Sequence, residues 1–316
     1  MSDASVRAKY PNAKWFDSNY SGTESGTFDQ PYSSITTAIS NTGTDPNDDA
    51  VVAIKSGEHN VSQITYSKSI RFVGVGKDAV IHTTGASYGG GITTASTGAN
   101  RFLYLETFTL THNSTTNTYG VIKLPGDGGN SDNVLVAQGC RFMALDARIA
   151  NSSPWRGWFM CHDAAPYVEN SLNVTDCEFY TGSQTTAHGL VLGGSTNEDG
   201  FGSVTFNRCT IYIPSSSISA GKIFYQSGSS LINYSVKNTI IYGGNGDEVL
   251  GHTSGSASTT LSNNCFFNTS YSSSSSGIGT NNIFSDPLFI DATNSTFLDK
   301  DFRLRPGSPC ISAGTV

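Results

Sequence analysis

Residues 173–180 read NVTDCEFY, and thirty-odd positions later residues 205–212 read TFNRCTIY. Both run polar, apolar, polar, polar, Cys, polar, apolar, Tyr. Placing the cysteine at position zero, further copies fall into line along the chain. Position zero is Phe108, Cys140, Cys177, Cys209, Thr239 and Asn264. Two residues later stand Leu110, Phe142, Phe179, Ile211, Ile241 and Phe266; three residues earlier stand Leu105, Ala137, Val174, Phe206, Val236 and Leu261. Two further back are Leu103, Leu135, Leu172, Val204, Tyr234 and Thr259.

The apolar positions alternate on each side of one residue and change parity across it, which predicts two short strands joined by a one-residue corner. The corner residues are Thr107, Gly139, Asp176, Arg208, Asn238 and Asn263. Gly, Asn and Asp accept the left-handed backbone that such a bend requires, whereas Thr107 and Arg208 are not of that kind. A further apolar segment follows each copy, as in GLVLGG (189–194), KIFYQ (222–226) and EVLGH (248–252). Three short strands per copy cannot bury an apolar side alone, but stacked copies enclose a continuous core. The expectation is an all-β parallel β-helix, a solenoid whose neighbouring coils lie ~4.8 Å apart so that like residues form ladders. Cys140, Cys177 and Cys209 form one such ladder.

Composition agrees. Charged residues are 14% of the 316, Gly numbers 34 and Met only 3, which suits many short strands joined by turns. A net charge of −7 with no Lys/Arg cluster excludes a nucleic-acid partner, whose phosphates need basic groups. No apolar run approaches the ~20 residues of a membrane helix. The opening MSDASVRAKYPNAKW lacks the apolar core of a secretory signal, so the expectation is synthesis and folding in a cytoplasm. The six cysteines show no CxxC or Cys/His spacing of a zinc site, and three share one repeat position, so they read as small buried side chains. No metal or cofactor is expected. FDQPYSSITTAIS (28–40) sets Ser34 ahead of Ile35, Ala38 and Ile39, a short helix that lids the first coil. AVVAIKSGEHNV and SIRFVGVGKDAVI read as the first coils.

WFDSNYSGTESGTFDQPYSSITTAI, VVAIKSGEHN and DPLFIDATNSTFLDKDFRLRPGSPCISAG resemble, in order, the opening, first coil and closing cap of right-handed parallel β-helix proteins of the pectate-lyase-like superfamily. The resemblance spans residues 15–314 and implies a single-stranded right-handed β-helix with a short N-terminal capping helix and a C-terminal cap. It divides the chain into an arm (1–27), the helix (28–282) and the cap (283–316). The superfamily implies polysaccharide lyases and hydrolases, bacterial surface proteins and phage tailspikes. The lyase signatures vWiDH and RxPxxR are missing, and of the polygalacturonase strings only AHGL around His188 is present.

Two surfaces are candidates for function. Position three holds Thr111, Met143, Tyr180, Tyr212, Tyr242 and Phe267, an outward aromatic column. It is either covered by folded-back chain, or a subunit interface, or a platform on which sugar rings stack. The second surface is a set of loops bearing Asp127, Asp163, Glu198 and Asp199 beside Trp155 and Trp158. Paired carboxylates there would suit glycoside hydrolysis, at separations of ~5 to 9.5 Å. The expected function is a bacteriophage virion surface protein, tailspike-like or capsid-decorating, with other virion proteins and host polysaccharide as the expected partners. The resemblance implies a homotrimer. The alternatives are a secreted polysaccharide lyase or glycoside hydrolase, and a non-catalytic bacterial adhesion module.

Overall fold

The computed structural model of the chain describes residues 1–85, 90–94, 100–113, 121–124, 133–144, 158–161, 170–181, 190–193, 201–213, 222–226, 233–252, 258–270 and 279–315. Within them the chain is mostly β, arranged in two long sheets of parallel strands, 9 in the first and 14 in the second. The first sheet runs from Lys14–Phe16 through Val51–Ile54, Ile70–Gly74, Phe102–Glu106, Val134–Gln138, Asn170–Thr175, Phe201–Asn207 and Asn233–Lys237 to Ser258–Ser262. The second sheet collects the other two strands of each repeat, because one long strand, Ile240–His252, pairs with Thr210–Tyr212 at its start and with Lys222–Gln226 at its end. Each strand bonds to its equivalent one repeat away, an arrangement compatible with a parallel β-helix.

The register is the one the repeats predict. Leu103, Leu135, Leu172, Val204, Tyr234 and Thr259 are consecutive partners across the first sheet, as are Leu105, Ala137, Val174, Phe206, Val236 and Leu261. Leu110, Phe142, Phe179, Ile211, Ile241 and Phe266 do the same across the second. These columns form one core reaching from Phe16 to Phe266. Each large apolar side chain buried there contributes about 1.5–3 kcal/mol, and rings add specific stacking. Phe142 and Phe179 lie parallel at 4.9 Å, with Phe159 edge-on to both.

All six corner residues have positive φ, from 53° at Arg208 and Asn238 to 64° at Gly139. The two unexpected types are held by neighbours in the preceding turn. The Thr107 hydroxyl donates to the Gly74 carbonyl at 2.8 Å, and Arg208 grips the corner carboxylate Asp176 with two bonds of 2.7 and 2.8 Å. Beyond each corner comes the cysteine ladder. Cys140, Cys177 and Cys209 are buried, and each thiol donates to the carbonyl two residues back, at 3.5, 3.2 and 3.4 Å. Burial pushes the Cys209 thiol up to about 12, so it stays protonated and behaves as an apolar side chain. Amides replace apolar groups in other columns. Asn133 accepts from the Arg101 N–H at 3.1 Å, and Asn170 accepts from the Asn133 N–H at 3.1 Å, so buried main-chain donors are satisfied along the stack.

Helix α2, Ile35–Ser40, begins at Ser34, whose hydroxyl accepts from the Thr37 N–H at 3.3 Å. Its Ile35, Ala38 and Ile39 enter the main core beside the first strands. Residues 1–27 do not form a separate arm. Lys14–Phe16 is the edge strand of the first sheet, and helix α1, Asp3–Lys9, lies against that sheet's outer side. There Val6, Tyr10, Ala13 and Trp15 pack on Val51, Ala53, Val73 and Val75. Glu106, buried on the outer side, accepts from Tyr10 Oη at 2.6 Å, Lys9 Nζ at 2.5 Å and Arg71 Nη1 at 3.1 Å. Burial alone would raise its carboxyl, but the Lys9 and Tyr10 hydrogen bonds and the Lys9 and Arg71 charges outweigh that and hold it below the usual carboxylate value.

Two outcomes follow from corner and clasp. Gly139→Val places a β-branched residue at φ 64° with its Cβ 3.2 Å from Thr107 Cγ2; denaturant titration should show a loss of about 1–2 kcal/mol, with Gly139→Asn costing less. Because the folded value of Glu106 is depressed, its contribution is complete above the ordinary glutamate range and is lost as pH falls through the folded value. Protection of residues 3–10 against hydrogen exchange, taken relative to the intrinsic rate at each pH, should therefore fall on acidification, and Glu106→Gln should lower it at neutral pH by at least about tenfold, equivalent to ~1.4 kcal/mol.

Candidate functional site: the outer face of the second sheet

Two outward columns run side by side along the second sheet. The first is Glu58, Val80, Thr109, Arg141, Glu178, Thr210, Ile240 and Cys265; the other is Asn60, His82, Thr111, Met143, Tyr180, Tyr212, Tyr242 and Phe267. The aromatic part is stacked as the repeat spacing predicts, with ring centroids 6.1 Å apart for Tyr180 and Tyr212, 4.7 Å for Tyr212 and Tyr242, and 5.1 Å for Tyr242 and Phe267.

The middle of this column is covered by the chain itself. After Ile283 has paired in parallel with the last turn, the chain folds back along the outer face and forms an antiparallel pair, Phe289–Asp291 with Asp301–Leu304. Phe289, Ala292 and Phe302 close over the tyrosines. Tyr212 lies 5.5 Å from Phe302 and 6.2 Å from Phe289 and is only 5% exposed. Lys300, buried, sets its ammonium 4.8 Å above the Tyr180 ring and donates to the Ala292 and Asn294 carbonyls at 3.1 and 2.5 Å. Burial, with smaller effects from Tyr242 and Tyr180, pushes the Tyr212 phenol up to about 12. The chain itself therefore closes Tyr212 to a subunit interface or sugar platform and partly covers Tyr180 and Tyr242. The covering rings sit in the stretch read as the cap; DPLFI and KDFRL each carry a phenylalanine able to meet a tyrosine column, but nothing periodic marks where they dock.

Beyond the covered half the outer face opens into a cleft of about 590 Å3, lined by Glu58, Lys77, Asp78, Thr109, Arg141 and Asp299 among others. Its charges are interlocked. Glu178 accepts from Lys77 and from Arg141 Nε, the latter at 2.7 Å, while Arg141 Nη1 donates to the Leu298 carbonyl at 2.9 Å. Arg141 is thereby fixed between sheet and covering segment. In the neighbouring column His82 Nε2 stands 3.4 Å from Glu58 Oε2, and His82 Nδ1 is 2.7 Å from Thr111 Oγ1. Among the described residues, no group of three or more His, Cys, Asp or Glu side chains gathers to hold a metal.

No protein-family model matches the chain, and no curated protein matches it significantly.

Of the residues singled out in the sequence, Asp127, Asp163, Glu198, Asp199 and Trp155 lie outside the described residues. Trp158 is 2% exposed and stands in the main core, 5.5 Å from the Phe142 ring, so it fills the interior and offers no surface for stacking. Nothing local in the sequence distinguishes the cleft carboxylates Glu58 and Asp78 from solvated surface charge. Only the register, which brings strands of the early turns beside Arg141 and the returning chain, assembles the cleft. No helix among the described residues is long and apolar enough to cross a membrane.

Tyr212→Ala should cost about 2–4 kcal/mol by leaving a cavity beneath Phe302. Hydrogen exchange should localise the loosening to residues 286–304, and the solution mass should not change; a change in oligomeric state with 286–304 still protected would contradict the internal cover.

Proposed function

We propose that the chain is a right-handed parallel β-helix closed at its ends by α2 and by the C-terminal segment, a rigid rod on the surface of a bacteriophage particle that touches host-surface glycans through its side. The single observation that carries the binding part is the cleft. Once the aromatic column is covered, the cleft is an open, polar part of that outer face, walled by a guanidinium and an ammonium that Glu178 and Leu298 hold in place. Preorganised polar groups of this kind suit hydroxyl-rich or acidic sugars, because little side-chain freedom is lost on binding. The low charge content and the Gly/Ser/Thr/Asn-rich composition support a place outside the cell, and phage tailspikes are among the proteins that the resemblance implies. Trimeric assembly, which that resemblance implies, would have to use a face other than the tyrosine column.

The cleft also favours a second reading. Glu58 and Asp78 line the same cavity as Arg141, and carboxylates beside a fixed cation are the parts a polysaccharide hydrolase or lyase would use.

One set of measurements separates the two. Biolayer interferometry against bacterial O-chain and capsular polysaccharides should show binding that Arg141→Ala weakens at least about tenfold, or ~1.4 kcal/mol, without release of reducing or unsaturated ends. Release of such ends, abolished by Glu58→Gln or Asp78→Asn, would replace the rod with the enzyme. Absence of binding, together with purified virions that an antibody to the chain does not label, would remove the proposal.

A further inference from the structure

Cys265 differs from the three core cysteines by a single position. They occupy position zero, which points inward; Cys265 follows Asn264 at position zero and shares the outward column of Ile240, Thr210, Glu178 and Arg141. An outward residue on the last turn would ordinarily be wet, yet Cys265 is 3% exposed. Its cover is the end of the chain. The Cys265 thiol donates to the Ser285 carbonyl at 3.3 Å and is in hydrogen-bonding contact with the thiol of Cys310. Cys310 is held there by its own N–H, which donates to Ser308 Oγ at 3.1 Å, and buried Ser308 donates in turn to the Pro287 carbonyl at 2.6 Å. Both cysteines are free thiols.

We propose that Cys265 and Cys310 close into a disulfide that staples the C-terminal tail to the last turn when the protein meets a low-molecular-weight disulfide such as oxidised glutathione. Two thiols already in contact need only small side-chain rotations to bond. The hairpin that covers the tyrosine column lies between them in the chain, so the bond closes a loop around that cover. This inference is independent of the function proposed above.

The two sulfurs divide the work. Cys310 is the half-exposed partner, and its contacts with the Cys265 thiol and with Ser308 draw its thiol below the ordinary value, against the effect of burial. Its thiolate attacks one sulfur of glutathione disulfide, forming a mixed disulfide and expelling the other half as a thiolate, which takes up a proton. Cys265 then gives up its proton and attacks the Cys310 sulfur, expelling the second glutathione. Two protein thiols lose two protons and two electrons, and one glutathione disulfide is reduced to two thiols. Cys140, Cys177 and Cys209 are excluded from this exchange, buried in the core and out of reach of the oxidant.

The test uses the full chain before and after incubation with oxidised glutathione. Thiol titration in denaturant should fall from the 6 cysteines of the sequence by two, intact mass should drop by two hydrogens, and peptide mapping should join the peptides holding 265 and 310. Tm should rise by about 5 °C or more, since a cross-link closing a long loop restricts the unfolded chain, and a reductant should reverse the rise. Cys310→Ser and Cys265→Ser should each abolish the oxidant-dependent shift. An unchanged thiol count, a glutathione adduct that persists on Cys310, or a cross-link joining other cysteines in the wild-type chain would overturn the proposal.

Discussion

In-register pairing of each strand with its equivalent one repeat away is the constraint on which the rest of the molecule depends. Parallel partners in adjacent strands are 20 to 38 residues apart in the chain, so no contact of this kind is local. A parallel ladder places identical positions directly over one another, and whatever occupies a column must tolerate its own kind as neighbour. The columns that begin at Leu105 and Leu110 therefore stay apolar for six copies, and a cysteine can follow a cysteine. Polar groups that enter a column bond the main chain of a neighbouring turn; the Thr239 hydroxyl accepts from the Cys209 N–H at 3.3 Å, Asn264 accepts from the Thr239 N–H at 2.9 Å and Asn282 accepts from the Asn264 N–H at 3.0 Å.

The corner is the second expression of the same constraint. One residue must turn the chain and switch which side chains face inward, and the left-handed backbone does both at a cost of about 1 kcal/mol for a non-Gly residue. Thr107 and Arg208 bear that cost in the company of Gly74 and Asp176, whereas Asn238 and Asn263 join an amide network that reaches Thr315 in the tail. The corner line is thus also a seam, along which the end of the chain is fastened.

Stacking leaves a problem that repetition cannot solve: any outward column that is apolar. It is met with non-repeating chain. At the start, α1 covers the valines on the outer side of the first sheet and is clasped by Glu106; at the finish, the returning hairpin covers the tyrosines. The hairpin stops short of the earliest turns, and the place where it stops is the cleft. Cover and cleft are in that sense one feature, with Arg141 bonded to both Glu178 of the sheet and Leu298 of the hairpin.

By itself the sequence determined the strands, their register, the corner positions and the inward cysteine column, because each recurs and a recurring signal is legible without coordinates. It also distinguished the outward tyrosine column from the core. Only the tertiary structure decided what covers that column, where α1 docks, that Trp158 turns inward, and which charges meet in the cleft. Those contacts occur once, between segments far apart in the chain, and depend on shape and on competition with water, so no period in the sequence announces them. Cys265 marks the boundary between the two kinds of information: its register is readable from the repeat, but its burial exists only because the chain returns to it.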